Sequence, residues 1–181
     1  MNTSPRKHLF DIILIGALLA ASGVIVYLNR EVHRLQATIE AGGGDVVLGS
    51  NLLPLKATVA GGTTTIEAGR PRVVLYVAAG CGACARAMPR FRDIVARVGA
   101  VNTVLLGPGN REESIKELQQ YAQRQKLDGV AVAGISHDTM TEKRMLGVPR
   151  VLLVDRGGRI ARVWQRVPVT SEEVVDAFRS L

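Results

Sequence analysis

The chain has 181 residues, of which 47% are hydrophobic and 4% aromatic, so there is room for one domain of ordinary size beside terminal segments. The formal net charge is +7. The Lys and Arg residues are scattered and no aromatic residues alternate with them, so this charge does not indicate a nucleic-acid partner. Basic groups of this kind are also suited to anionic lipid headgroups.

The N-terminal region is strongly apolar. Residues 12–28 contain no charged residue and consist mostly of Ile, Leu, Ala and Val. At about 1.5 Å per helical residue, this run covers most of a bilayer core. We therefore predict a cytoplasmic tail over residues 1–8 and a transmembrane anchor over residues 9–28. A cleaved signal peptide is the alternative, with Ala20, Ala21 and Ser22 near its cleavage site, but the apolar run continues to Leu28 and favours an anchor.

The charges that flank the apolar run do not orient it. Arg6 and Lys7 precede it, and Arg30 and Arg34 follow it, so the two sides carry equal positive charge. The chain also has two cysteines close together, and protein disulfides persist outside the cytoplasm. We therefore expect a single-pass protein whose C-terminal domain is extracytoplasmic.

Residues 29–45 are predicted to form a juxtamembrane helix and a linker, ahead of a folded domain over residues 46–181. Apolar residues recur at spacings of four, three and four, as on one helix face, at Leu28, Val32, Leu35 and Ile39. Two heptads are short for a coiled coil, so a helical extension is favoured over a dimerising stalk. Gly42, Gly43 and Gly44 then end the helix.

The first half of the domain predicts a hairpin, a strand and a helix. Leu55–Val59 and Thr63–Ile66 flank two glycines and are typical of a β-hairpin. Arg72–Val77 is mostly apolar and predicts a central strand that is covered on both faces. Ala85–Val98 is helix-like, with Pro89 inside it, where proline is expected to kink the helix.

The second half alternates strands and helices and then ends in a hairpin and a helix. The predicted elements are a strand at Val101–Leu106, a helix capped by Asn110 and Glu113, a strand at Val130–Ile135, a short helix at Thr139–Leu146, hairpin strands at Val151–Val154 and Ile160–Trp164, and a helix capped by Thr170 and Glu173. Alternation followed by an antiparallel hairpin predicts an α/β fold, with a mixed sheet flanked by helices.

Cys81 and Cys84, the only cysteines, lie between the predicted central strand and the helix. Thiols at this spacing can close a small disulfide and reopen it, and a helix N-terminus favours the attacking thiolate. A structural bridge would remove little chain entropy from so short a loop. A zinc site would need further ligands, and the chain offers only three histidines and no second Cys pair. We predict a redox-active pair with no metal and no other cofactor.

Three features together resemble the thioredoxin superfamily, over roughly residues 55–181. They are the strand leading into Cys81-Gly82-Ala83-Cys84, the helix proline Pro89, and Gly147-Val148-Pro149 just before the second hairpin. The chain is most similar to the membrane-anchored, extracytoplasmic redoxins of the TlpA, ResA and DsbE type. This resemblance implies a thioredoxin-like mixed sheet flanked by helices.

The resemblance also implies roles for four residues. In that family the proline matching Pro149 is cis and lies opposite the cysteine pair, and the backbone of Val148 would pair with substrate like an added strand. Cys81 would attack a substrate disulfide, and Cys84 would resolve the mixed disulfide. The alternative is that Pro149 merely starts an edge strand.

Several positions depart from the family pattern. Gly80 stands where many members have Trp, and Leu75 and Ala87 stand where a carboxylate often assists proton transfer to or from the resolving thiol. Without such a carboxylate, water or another group must carry that proton, and the redox direction stays open. Nearby, Arg86 and Arg90 are interpreted as a solvated helix face.

Two further aromatic residues and one histidine are given structural rather than catalytic interpretations. Tyr76 and Trp164 are expected to be packing residues rather than a ligand cage. His137 is expected in a loop or a helix cap.

The function that the resemblance implies is a thiol-disulfide oxidoreductase anchored in the bacterial cytoplasmic membrane. Its partners would be the thiols and disulfides of exported proteins and a redox donor or acceptor in the membrane, with cytochrome c maturation as the pathway. One alternative is a disulfide-forming maturation factor of the amine dehydrogenase accessory type. Another is a thioredoxin-fold binding module or copper chaperone, since two thiolates can hold Cu(I). A peroxidase is disfavoured because residues 77–80 lack Pro and Thr.

Overall fold

The computed structural model describes residues 22–24, 46–165 and 170–181. The chain divides into two compact units, Met1–Gly43 and Gly44–Leu181. Only residues 22–24 of the first unit are described, and they are helical. Among the described residues, no helix has both the length and the apolar character needed to cross a membrane. The predicted tail, anchor and juxtamembrane segment, residues 1–45, otherwise lie outside the described residues.

The described part of the second unit contains one seven-stranded mixed sheet, in the order β2-β1-β5-β4-β3-β6-β7. The strands are β1 (Leu55–Val59), β2 (Gly62–Ile66), β3 (Arg72–Tyr76), β4 (Thr103–Pro108), β5 (Ala131–Ile135), β6 (Arg150–Val154) and β7 (Ile160–Gln165). β3, β4 and β5 run parallel, whereas β6 pairs antiparallel with β3 and β1 pairs antiparallel with β5. The predicted mixed α/β sheet is confirmed.

Four helices accompany the sheet in the described residues of this unit. They are α1 (Gly82–Val98), α2 (Glu112–Arg124), α3 (His137–Glu142) and α4 (Ser171–Arg179), with a 3₁₀ turn at Ala100–Asn102 before β4. α1 connects β3 to β4 and α2 connects β4 to β5, because parallel neighbours require a crossover. Both predicted hairpins form, as β1–β2 and β6–β7.

The core lies on both faces of the sheet. Along β3 and just beyond it, Val73, Leu75 and Val77 face one buried cluster, while Val74 and Tyr76 face the other. This alternation is the period of two of a strand, and burial on both faces is what the continuous apolar run predicts. The first cluster also contains buried residues of α1, α2 and α4, including Cys84.

Three predicted helix boundaries differ from the structure. α1 begins at Gly82, three residues before the predicted start at Ala85, because Cys81 serves as its N-cap. The cap predicted at Asn110 is wrong: Arg111 is the N-cap of α2 and makes no side-chain capping bond. The helix predicted to reach Leu146 ends at Glu142, since Arg144 has a φ of 55°, in the left-handed region that ends helices.

Of two other predicted boundaries, one is wrong and one is confirmed. The strand predicted at residues 101–106 is Thr103–Pro108, because the 3₁₀ turn takes up the residues before it. The cap predicted at Thr170 is confirmed, since its Oγ1 accepts a hydrogen bond from the backbone N–H of Glu173 at 3.3 Å.

Candidate functional site

A disulfide joins Cys81 and Cys84 at the N-terminus of α1, with their Cα atoms 5.2 Å apart. Cys81 is the N-cap and has extended backbone angles, φ −73° and ψ 110°. Its Sγ accepts a hydrogen bond from the backbone N–H of Cys84 at 3.1 Å. Its own N–H donates to the carbonyl of Ala78 at 3.3 Å, which closes the loop that follows β3. One of the N-terminal N–H groups of α1, that of Cys84, is therefore directed at the Cys81 sulfur.

The two cysteines differ sharply in exposure. Cys84 has 0% of its surface exposed and belongs to the buried cluster under α1. Cys81 is partly exposed and only packs against the edge of that cluster. An attacking thiolate must reach a sulfur atom from solvent, and of the two residues only Cys81 is exposed to solvent.

The surroundings of Cys84 are apolar. Leu75 and Ala87 are both 0% exposed and lie in the same buried cluster as Cys84. They occupy the two positions that the family resemblance associates with a carboxylate, so neither position supplies a proton carrier. When the disulfide opens, this environment disfavours a thiolate at Cys84, and the proton that neutralises it must come from water or another group.

The loop that contains Pro149 lies at the same edge of the sheet as the cysteines, meaning the edge where strand ends meet and not an outermost strand. The Val148–Pro149 peptide bond is cis, as the resemblance implies. β6 begins directly after Pro149, and its first residue, Arg150, pairs with Tyr76 at the end of β3. Pro149 is buried and Val148 is partly buried, packing against both core clusters. β6 is flanked by β3 and β7, so Pro149 does not start an edge strand.

The charge next to the cysteines is positive. Arg86 is exposed, and its Nη1 lies 3.7 Å from the position that a Cβ would take on Gly82. One turn further along, Arg90 has a buried Nη1 with no hydrogen-bond partner. The first turn of α1 contains no acidic residue. Backbone dipole and side chains thus act in the same sense and favour an anion at Cys81.

Tyr76 and Trp164 are packing residues, as expected. Tyr76 is 1% exposed and its hydroxyl donates to Met140 Sδ at 2.8 Å. Burial raises the pKa of Tyr76 to about 12, against a smaller opposite effect of the Arg150 charge. Trp164 is partly buried, and its Nε1 donates to Glu173 Oε1 at 2.8 Å.

His137 is the exposed first residue of α3. The N-cap of that helix is its neighbour Ser136, whose hydroxyl accepts from the backbone N–H of Thr139 at 3.2 Å. His137 is therefore inside the first turn of α3, next to the cap, and not in the loop or cap position that was expected.

Leu146 belongs to this region but was not singled out in the sequence. It is 47% exposed, although its neighbour Met145 is fully buried, and it directly precedes Gly147-Val148-Pro149. Helical periodicity had placed it at the end of a helix. The sequence carries no clear signal for its position, because a proline biases only the residue directly before it away from helix, and Leu146 lies three residues before Pro149.

The described residues do not group into a metal site: none of them form a set of three or more His, Cys, Asp or Glu side chains able to hold an ion. Cys81 and Cys84 are the chain's two thiol ligands, and here they are joined to each other. Binding of Cu(I) would require the reduced pair.

Solved structures with the same architecture include proteins described as thiol-disulfide oxidoreductases or interchange proteins. A protein described as the thiol:disulfide interchange protein DsbE from Chlorobium tepidum has a TM-score of 0.58 and 15% identity, over 75% of this chain and 97% of that one. The thioredoxin domain of a thiol-disulfide oxidoreductase from Bacteroides vulgatus has a TM-score of 0.56 and 16% identity, over 75% and 98%. A peroxiredoxin-like protein from Aquifex aeolicus gives 0.56 and 17%, over 76% and 89%.

These likenesses establish the fold. The domain has the thioredoxin fold, as predicted. No protein-family model and no curated protein matches the sequence. Since the fold is shared by exchange proteins and by a peroxiredoxin-like protein, the choice of chemistry depends on the residues of this chain.

Proposed function

We propose that this chain is a thiol-disulfide oxidoreductase that uses Cys81 and Cys84 as its redox-active pair. The observation that carries the proposal is the asymmetry of the disulfide: a partly exposed Cys81 at a helix N-terminus, bonded to a wholly buried Cys84. An asymmetric pair can receive a partner at one sulfur and use the other as an internal leaving group or nucleophile.

The oxidised form would act in two displacements. A substrate thiolate attacks Cys81 Sγ, the bond between the two enzyme sulfurs breaks, and Cys84 leaves as a thiolate that then takes up a proton. A second substrate thiolate attacks the substrate sulfur of the mixed disulfide and releases Cys81 as a thiolate. Two electrons pass from the substrate thiols to the enzyme pair. The reverse sequence reduces a substrate disulfide.

The substrate would bind along the loop at Val148 and Pro149. This loop and the cysteine loop share one edge of the sheet, because Arg150 pairs with Tyr76. An extended substrate segment could pair with the backbone of Val148 as an added strand, which would present its cysteine to Cys81. Support for this role comes from the shared edge and from the family resemblance.

The proposed setting is the extracytoplasmic side of a bacterial cytoplasmic membrane. The uncharged run at residues 12–28 supports a single-pass anchor, and exported proteins would then supply the thiols and disulfides. A redox donor or acceptor in the same membrane would regenerate the pair. Cytochrome c maturation is the proposed pathway.

A second candidate is a disulfide-forming maturation factor of the amine dehydrogenase accessory type. It is favoured by the apolar side chains of Leu75 and Ala87 beside Cys84, since an oxidant has less need of a carboxylate that activates the resolving thiol. The reduction potential of the pair separates the two candidates. A value near that of thioredoxin supports a reductase, whereas a value near those of strong oxidants supports disulfide formation.

Trapping of partners tests both candidates against a binding module. In Cys84→Ser the resolving thiol is missing, so mixed disulfides through Cys81 should accumulate in native membranes and disappear on reduction. Cys81→Ser is the matched control and should trap nothing. If Cys84→Ser also traps nothing and the reduced wild type binds Cu(I) through both thiols, the copper chaperone replaces the oxidoreductase.

A further inference from the structure

The arginine that follows the cysteine pair on α1 has a guanidinium directed back at the cysteine loop. Arg86 lies two residues beyond Cys84, yet its Nη1 is 3.7 Å from the position that a Cβ would take on Gly82. Helical side chains tilt toward the N-terminus of their helix, which accounts for this direction. A positive charge is therefore held beside the residue that follows Cys81.

This guanidinium has no acidic partner within the described residues. The ion pairs in that part of the chain do not include Arg86, whereas Arg97 on the same helix contacts Asp93 at 3.6 Å and Glu172 at 2.8 Å. Arg90, four residues after Arg86 and so on the same helix face, has a buried Nη1 without an acceptor. The C-terminal part of α1 is thus paired internally, and the part beside the cysteines is not.

We propose that Arg86 makes the Cys81 site selective for partners with an acidic group close to the reacting cysteine. This inference rests on the proposed function. A guanidinium binds carboxylates through parallel N–H donors, and at the rim of the site it would attract an acidic segment and repel a basic one. The partner chemistry is therefore a cysteine flanked by Asp or Glu.

Selectivity of this kind differs from simple activation of Cys81. If Arg86 acted only on the attacking sulfur anion, which carries the same charge in each reagent, its loss would change the rates with every attacking thiol by the same factor. If it recognises the partner, its loss would change the rates according to the charge of the thiol. Small thiols that differ in their tail charge separate the two effects.

The experiment measures how fast the oxidised full-length protein is reduced by three thiols. The thiols are 2-mercaptoethanesulfonate, 2-mercaptoethanol and cysteamine, with anionic, neutral and cationic tails, and each rate is divided by the thiolate concentration. Opening of the Cys81–Cys84 bond is followed by alkylation and mass spectrometry. Wild type should prefer the anionic thiol to the cationic one, and added salt should reduce that preference.

Arg86→Gln should lower the rate with the anionic thiol by about two- to fivefold, the range for an exposed charge pair, and should leave the neutral thiol unchanged. Arg92→Gln is the matched control, because Arg92 is an exposed arginine of the same helix whose Nη1 donates to the carbonyl of Gln125 at 3.5 Å. It should keep the wild-type preference.

Two results would overturn the assignment: an unchanged charge preference in Arg86→Gln, or an equal slowing with all three thiols. Failure of the proposed function gives a different pattern. In that case Cys84→Ser traps no partner, although the charge preference for small thiols persists in the wild type and is lost in Arg86→Gln.

Discussion

Tyr76, the last residue of β3, is paired across the sheet with Arg150, the first residue of β6. β3 leads through a short loop to Cys81, and Arg150 directly follows Pro149. The antiparallel register between these two strands therefore brings the cysteine loop and the cis-proline loop to one edge. The register of the two strands therefore sets which loops lie side by side at the site.

The difference in exposure of the two cysteines predicts selective alkylation. After reduction, Cys81 should react with iodoacetamide at least about ten times faster than Cys84, because Cys84 is buried among apolar side chains that disfavour its thiolate. Time-resolved peptide mapping by mass spectrometry measures both rates. In denaturant the two rates should become similar. Equal rates in the folded protein would contradict the assigned roles.

The exposure of Leu146 just before the cis-proline loop predicts that its side chain contributes apolar contact to the binding of extended substrates. Leu146→Ser should lower kcat/KM for oxidation of a cysteine peptide with apolar neighbours by about fivefold, since partial burial of a leucine contributes about 1 kcal/mol. Reduction by 2-mercaptoethanol should not change. Val101→Ser is the control, because Val101 is 62% exposed and precedes β4 at the opposite edge. A similar loss of kcat/KM in Val101→Ser would show that removing any exposed aliphatic side chain has this effect, and would contradict a specific role of Leu146.

Burial of Tyr76 predicts a loss of stability at alkaline pH. The pKa of Tyr76 rises from 10.0 to about 12 in the folded protein, so between these values the unfolded chain releases a proton that the folded chain keeps. This stabilisation is complete below pH 10 and is lost as the pH approaches 12. The full change corresponds to about 2 to 3 kcal/mol.

Denaturant unfolding at a series of pH values from 9 to 12 tests this dependence, with Tyr76→Phe as the control. Burial also raises the pKa of Tyr121, but Tyr121 is present in both proteins and its contribution cancels in the comparison. Wild type should lose more stability than Tyr76→Phe over this range. Parallel curves for the two proteins would show that Tyr76 ionises as it does in the unfolded chain.

The N-caps of two helices predict opposite effects on stability. Thr170→Ala removes the bond from the Glu173 N–H to Thr170 Oγ1 and should lower the free energy of unfolding by about 1 kcal/mol. Arg111→Ser supplies a capping hydroxyl to α2, whose N-cap has extended angles but no side-chain bond, and should raise it by about 0.5 to 1 kcal/mol. Urea titrations measure both. A gain from Thr170→Ala or a loss from Arg111→Ser would be incompatible with these caps.

Local patterns predicted the elements well and some of their ends poorly. The cap at Thr170 follows from a side chain and a backbone group three residues apart, so it was visible in the sequence. The cap predicted at Asn110 is wrong, since Arg111 is the N-cap, and the loop before it contacts β5 through a hydrogen bond from the Gly109 N–H to the carbonyl of Ile135 at 2.8 Å. That contact joins segments distant in the chain, which a local pattern does not record. For residues 1–21, 25–45 and 166–169, the expectations rest on the sequence alone.

By itself, the sequence determined where the proposed exchange chemistry lies in the chain. Two cysteines three positions apart, between an apolar strand and a helix, can form a small disulfide through interactions within a few residues. The tertiary structure decided which cysteine is buried, which loop lies at the same edge of the sheet as the cysteines, and which arginine beside the cysteine loop has no acidic partner among the described residues. These properties depend on contacts between segments that are distant in the chain, and residue periodicity records only which faces are buried, not which segments cover them.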